Sequence, residues 1–147
     1  MGLAVFCNGR LIHWQVKSFK GVWSERKLYA ILKVVTAVLD KYCVTLTVCK
    51  MVHPAHQSDI LDLVVKGIAK LCVQKGVRFS SCYLEDILEV VLPSGTKVSK
   101  AILADMLALK YPELALEFSK ERLNNHPYYI KLFEAIAAWE FHQRSAL

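Results

Sequence analysis

The sequence predicts one α/β domain over residues 1–147, a small mixed sheet with helices packed on it. Three observations carry that prediction: an Asn8-Gly9 dipeptide between alternating apolar runs, two strand–helix alternations behind it, and a C-terminal half with apolar residues at helical spacing. Asn-Gly supplies the two positive backbone angles of a tight hairpin turn, so Leu3–Phe6 and Leu11–Val16 are read as an antiparallel β-hairpin. Ser24 is an N-cap for a helix whose face is Leu28, Ile31, Leu32, Val35, Val38, Leu39 and Tyr42. Val44–Cys49 is short and β-branched, a buried strand. After the loop Met51–Gln57, Ser58 caps a second helix that Gly76 stops, and Val77–Cys82 is a third strand candidate. Strand, helix, strand in this order favours parallel pairing through a crossover helix. The remainder reads as helix: Tyr83–Leu92, Ser99–Lys110, Pro112–Arg122 and, after a break at Asn124-Asn125-His126, Pro127–Phe141, with Pro127 suited to a first turn.

A chain of 147 residues that is 54% apolar and 22% charged has material for a real core and is not a disordered chain. Its mean hydropathy is positive, yet Lys33, Lys50, Lys66 and Lys70 interrupt the apolar stretches before they reach membrane-spanning length. No membrane partner is expected. The opening residues show no signal-peptide pattern and only a poor match to an acylation start, so the expected location is cytoplasmic. Cys7, Cys43, Cys49, Cys72 and Cys82 are odd in number and none stands in a C-x-x-C pair, which argues against a disulfide framework or a zinc knuckle. They read as small buried hydrophobes.

Charge is unevenly distributed. The formal net charge is +6, and residues 1–50 alone hold eight basic and two acidic side chains. Arg10, Lys17, Lys20, Arg26, Lys27 and Lys33 are interleaved with Trp14, Phe19, Trp23 and Tyr29. In that mixture rings can stack on bases while cations meet phosphates, so the six cations are the candidate nucleic-acid-binding residues.

The run Gly2-Leu3-Ala4-Val5-Phe6, with Asn8-Gly9 and then Leu11-Ile12-His13-Trp14, resembles the second and third strands of Holliday-junction resolvases of the RuvC type. The order of elements is likewise similar to the RNase H-like fold. The resemblance implies that the helix near Lys27-Leu28 is the first crossover helix, Leu46–Lys50 the next central strand, and Tyr128–Trp139 the C-terminal helix. It also implies a test of chemistry, because such nucleases gather four carboxylates around two divalent ions. The first would lie in a Gly-Ile-Asp-Pro-Gly-like string, which is not present. The second position is held by Lys50, whose ammonium would repel a cation. Glu134 on the final helix is the sole candidate catalytic carboxylate, and one carboxylate does not hold two hard ions. The expected function is therefore an RNase H-like nucleic-acid-binding domain that is catalytically incomplete.

Two further readings stand beside it. A protein-interaction or assembly domain, a homodimer included, would use the fold as a scaffold, since unpaired strand edges recruit another chain. A metal-dependent junction endonuclease would need magnesium or manganese; no other cofactor is expected. His53 and His56, with Asp59 close by, are candidate metal ligands in a loop that follows a predicted parallel strand. No phosphate-binding glycine loop and no nucleophile elbow is present.

Overall fold

The computed structural model describes residues 1–56, 58–124 and 127–146, with the side chains of Asn124 and Pro127 left aside. Within them the chain is mixed α/β, with six helices and two small sheets. It divides into two compact units, Met1–Ser18 with Leu84–Leu147 (unit 1) and Phe19–Tyr83 (unit 2).

Unit 1 opens with the hairpin: β1 (Gly2–Cys7) pairs antiparallel with β2 (Arg10–Val16), from Gly2 opposite Val16 to Cys7 opposite Arg10. Asn8 and Gly9 turn it with φ of 50° and 76°, the geometry that Asn-Gly predicts. The register shifts between Val5 and Phe6, a bulge that adds twist. The hairpin lies on α6 (Pro127–Ser145), and α3 (Leu84–Val91), α4 (Lys100–Lys110) and α5 (Ala115–Asn124) surround that same helix. Leu132, Phe133, Ile136, Ala137 and Ala138 of α6 are buried almost completely because neighbours cover it on several sides. Phe6 stacks on Trp139 at 4.9 Å and meets Tyr111 edge-on at 5.9 Å. Gly2 lies where β1 touches the α6 main chain, and a Cβ there would overlap the Lys131 carbonyl and the Leu132 nitrogen. At the far end Arg144 donates to the carbonyls of Val90 (2.9 Å) and Val91 (3.2 Å), satisfying the orphan acceptors of α3.

Unit 2 contains α1 (Glu25–Lys41), β3 (Leu46–Met51), α2 (Asp59–Lys75) and β4 (Arg78–Tyr83). Ser24 Oγ accepts from the Lys27 N–H and Ser58 Oγ from the Leu61 N–H, so both predicted caps form. Ile31, Val35 and Leu39 bury one stripe of α1, which packs on α2 where Gly67 lies against Leu28 and Leu32. β3 and β4 are parallel, Leu46 opposite Arg78 through Met51 opposite Tyr83, with α2 as the crossover between them.

Both helices of unit 2 end in the same hydrogen-bond pattern. After α1, the Cys43 N–H reaches the Asp40 carbonyl and the Val44 N–H the Leu39 carbonyl; after α2, Gly76 and Val77 repeat this with Val73 and Cys72. This is the Schellman arrangement, which needs a left-handed residue. Gly76 (φ 69°) adopts that conformation freely, whereas Cys43 (φ 48°) holds it with a Cβ.

Several expectations need correction. The single mixed sheet does not form among the described residues: the hairpin and the parallel pair are separate two-stranded sheets. Alternation and turn chemistry specify a strand and its local partner, but they say nothing about which edges join across the chain. The two later strands begin one or two residues further on than expected, and the segment from Pro112 splits into a 3₁₀ turn (Pro112–Leu114) followed by α5. The last helix runs on to Ser145. The predicted break at Asn124-Asn125-His126 includes residues 125 and 126, which lie outside the described residues, as does Gln57 in the earlier loop.

Candidate nucleic-acid interface

All of the formal net charge belongs to unit 2. Residues 19–83 carry ten Lys and Arg against four Asp and Glu, whereas unit 1 carries nine of each. Local structure orders part of this excess. Burial of Ile31, Val35 and Leu39 turns the opposite side of α1 to solvent, and Arg26, Tyr29, Lys33, Ala37 and Asp40 form an exposed stripe at helical spacing. Arg26 and Lys33 have no ion-pair partner among the described residues. Asp40 closes the stripe, held by Lys75 at 2.7 Å.

The six sequence-predicted cations do not share one setting. Lys20, Arg26, Lys27 and Lys33 belong to unit 2, Arg10 and Lys17 to unit 1. Lys27 is half-buried, and its ammonium donates to the Gly21 carbonyl at 3.0 Å, holding the turn ahead of the helix. Arg10, Lys17, Lys20, Arg26 and Lys33 are exposed. The four rings named with them separate as well. Trp14 is half-buried in unit 1 and its indole N–H donates to Glu117 at 2.9 Å. Phe19 and Trp23 are also half-buried, while Tyr29 is 71% exposed.

Glu134 is 1% exposed. Lys100 reaches it at 2.9 Å and Lys131, one turn earlier on α6, at 3.4 Å. Two ammonium groups thus take the place in which a metal-binding carboxylate would present its oxygens, and the burial of the charge is offset by ion pairing. A second buried carboxylate on α6 went unnoticed in the sequence. Glu140 accepts from the Tyr111 hydroxyl and pairs with Lys110 at 2.7 Å. Burial, then the bond to Glu140, pushes the Tyr111 phenol well above its ordinary range. The signal was faint, because the partners are thirty residues apart and a Glu among Trp139 and Phe141 reads as an ordinary helix position.

His53 and His56 stand 6.1 Å apart, ring to ring, and both are exposed. His53 Nδ1 accepts from the Ala55 N–H at 3.2 Å, so this ring braces the 3₁₀ turn Pro54–His56. Asp59 begins α2. No cluster of three or more His, Cys, Asp or Glu side chains fit to hold a metal ion occurs among the described residues. In unit 2 the Cys49 thiol is pushed up to about 12, chiefly by burial and then by the neighbouring Cys72 and Cys82, which leaves it unreactive. No helix is long and apolar enough to cross a membrane among the described residues. The chain matches no protein-family model, no curated protein and no solved structure.

Proposed function

We propose that this protein is a nucleic-acid-binding module of the RNase H-like kind, without a working nuclease site, that meets phosphates through the exposed stripe of α1. The observation that carries the reading is the position of Arg26 and Lys33, one above the other on that stripe and free of acidic partners among the described residues, in the unit that holds the entire charge excess. Cations without local partners keep their full attraction for a polyanion, and each phosphate they meet releases condensed counterions. The order of hairpin, crossover helix and parallel strand supports the RNase H-like part of the reading, although the two strand pairs form separate sheets. The lysines on Glu134 argue against metal-dependent cleavage, which is the weaker alternative.

Fluorescence anisotropy with labelled oligonucleotides at increasing salt tests the reading. Binding is expected at low salt, with a log–log salt slope that falls by about 1.4 to 1.8 when Arg26 and Lys33 are both replaced by Ala. Absence of binding at low salt would dismiss it.

One feature favours a protein-interaction role instead. In unit 1 a shallow groove of about 510 Å³ is lined by Asp105, Ala108, Leu109, Pro112, Ala115 and Phe118, and Leu109, Leu116 and Leu123 are exposed there and along α5. Exposed apolar side chains grouped in this way are common at docking surfaces. Analytical ultracentrifugation showing concentration-dependent association that Leu109→Glu abolishes would support this second role.

A further inference from the structure

The exposed stripe of α1 contains an aromatic ring between its two cations. Tyr29 follows Arg26 by three residues and precedes Lys33 by four, so the phenol lies on the same side of the helix as both. The helical rise separates the two cations by about 10 Å along the axis, with the ring between them. The ring is 71% exposed and has no ring, hydrogen-bond or ion partner among the described residues.

We propose that this stripe takes a single strand of nucleic acid, with one unstacked base lying on the Tyr29 ring and flanking phosphates held by Arg26 and Lys33. The inference rests on the nucleic-acid reading above and adds the class of ligand. In a duplex each base is stacked and paired, so no base face is open for a ring on a helix surface to stack on, although base edges stay within reach in the groove. In a single strand the base faces are open, and every base presents one, so an exposed phenol adds affinity without sequence preference. Cations alone do not make that distinction, because they meet phosphates in either form. The opposing group is Glu25, exposed one turn before Tyr29, whose carboxylate repels a phosphate on Arg26.

The test compares a labelled oligothymidylate with a labelled duplex in anisotropy titrations of the full chain. Tyr29→Ala is expected to weaken the single strand about ten-fold and the duplex less than two-fold, while Tyr29→Phe keeps the parental affinity for both. Arg26→Ala with Lys33→Ala should lower the salt slope on the single strand by about 1.4. Glu25→Gln should tighten both forms about two-fold, since it removes a like charge from the phosphate path. Tyr29 is exposed, so circular dichroism melts of its variants should overlay the parent. If Tyr29→Ala affects neither form, or both equally, the single-strand inference is wrong while the nucleic-acid reading stands. If the parent binds neither form at low salt, both fall together.

Discussion

Unit 1 and unit 2 are built from similar residues and put them to different uses. In unit 1, eleven hydrophobic side chains, among them Ile87, Leu103, Leu107, Leu114, Leu132, Phe133 and Ile136, are at most 1% exposed. Among the described residues of unit 2 only Cys72 is excluded so thoroughly; Ile31, Val35, Leu39 and Ile68 keep 6–8% of their surface. The charges follow the same division: unit 1 matches nine acids with nine cations and buries two of the acids, whereas unit 2 carries ten cations against four acids, most of those cations exposed. Unit 1 thus excludes solvent from its core more fully, and unit 2 carries the net charge.

The contrast can be broken by substitution. Phe133→Ala, at the centre of unit 1, should cost about 4 kcal/mol, and Leu39→Ala in unit 2 about 2 kcal/mol, since a site with some solvent access relaxes around a cavity. Urea titrations of both variants, followed by circular dichroism, check this; equal losses would erase the distinction. The next effect concerns the buried acids. Replacing both Lys100 and Lys131 by Met leaves Glu134 buried without its ammonium partners and should cost about 2 kcal/mol, a figure discounted because both lysines are half exposed. Glu134→Leu should cost less than that double variant, because it removes the charge along with its need for partners.

Alkaline stability separates the units by chemistry. The Cys49 thiol, ordinarily near 9.0, is pushed up to about 12 by burial in the folded chain. Its contribution is whole below pH 9 and is lost as pH rises toward 12, because the unfolded chain gives up that proton first. Cys49→Ala should therefore flatten the decline of melting temperature above pH 9. The Tyr111 phenol, also raised, contributes in the same direction from unit 1, so a residual decline is expected. Alkylation at pH 8 sharpens this: Cys7 and Cys43, both exposed, should react quickly, and Cys49, Cys72 and Cys82 only on unfolding. The smallest effect is a gain. Cys43→Gly should stabilise unit 2 by about 0.5–1 kcal/mol, because the left-handed end of α1 then matches the glycine end of α2.

Much of the local structure was legible because single residues announce it. Asn8-Gly9, Ser24, Ser58 and Gly76 each fix a turn or a helix end locally, and each stands where the sequence places it. The left-handed turn at Cys43 was not legible, since cysteine carries no preference for it. The binding of Glu134 and Glu140 by lysines was hidden for another reason: Lys100 is thirty-four residues from Glu134, and periodicity shows only that a Glu sits on a helix. The candidate site was half legible. Arg26, Lys33 and Tyr29 could be named, but which cations are committed elsewhere, as Lys27 is to Gly21, depends on a loop conformation that no spacing predicts.

The discontinuity of unit 1 bears on how the protein is made. β1 and β2 leave the ribosome well before α6, the helix against which they pack. At about 5–20 residues per second, more than a hundred residues of synthesis leave the hairpin without its seat for on the order of ten seconds. During that interval Phe6 has no Trp139 to stack on, and the strand edges are open to any extended neighbour. Unit 2, continuous from residue 19 to 83, is complete much earlier. Each nascent chain therefore passes through a stage in which unit 2 is fully synthesised and the hairpin of unit 1 still lacks α6, the stage at which chaperone capture and aggregation compete for it.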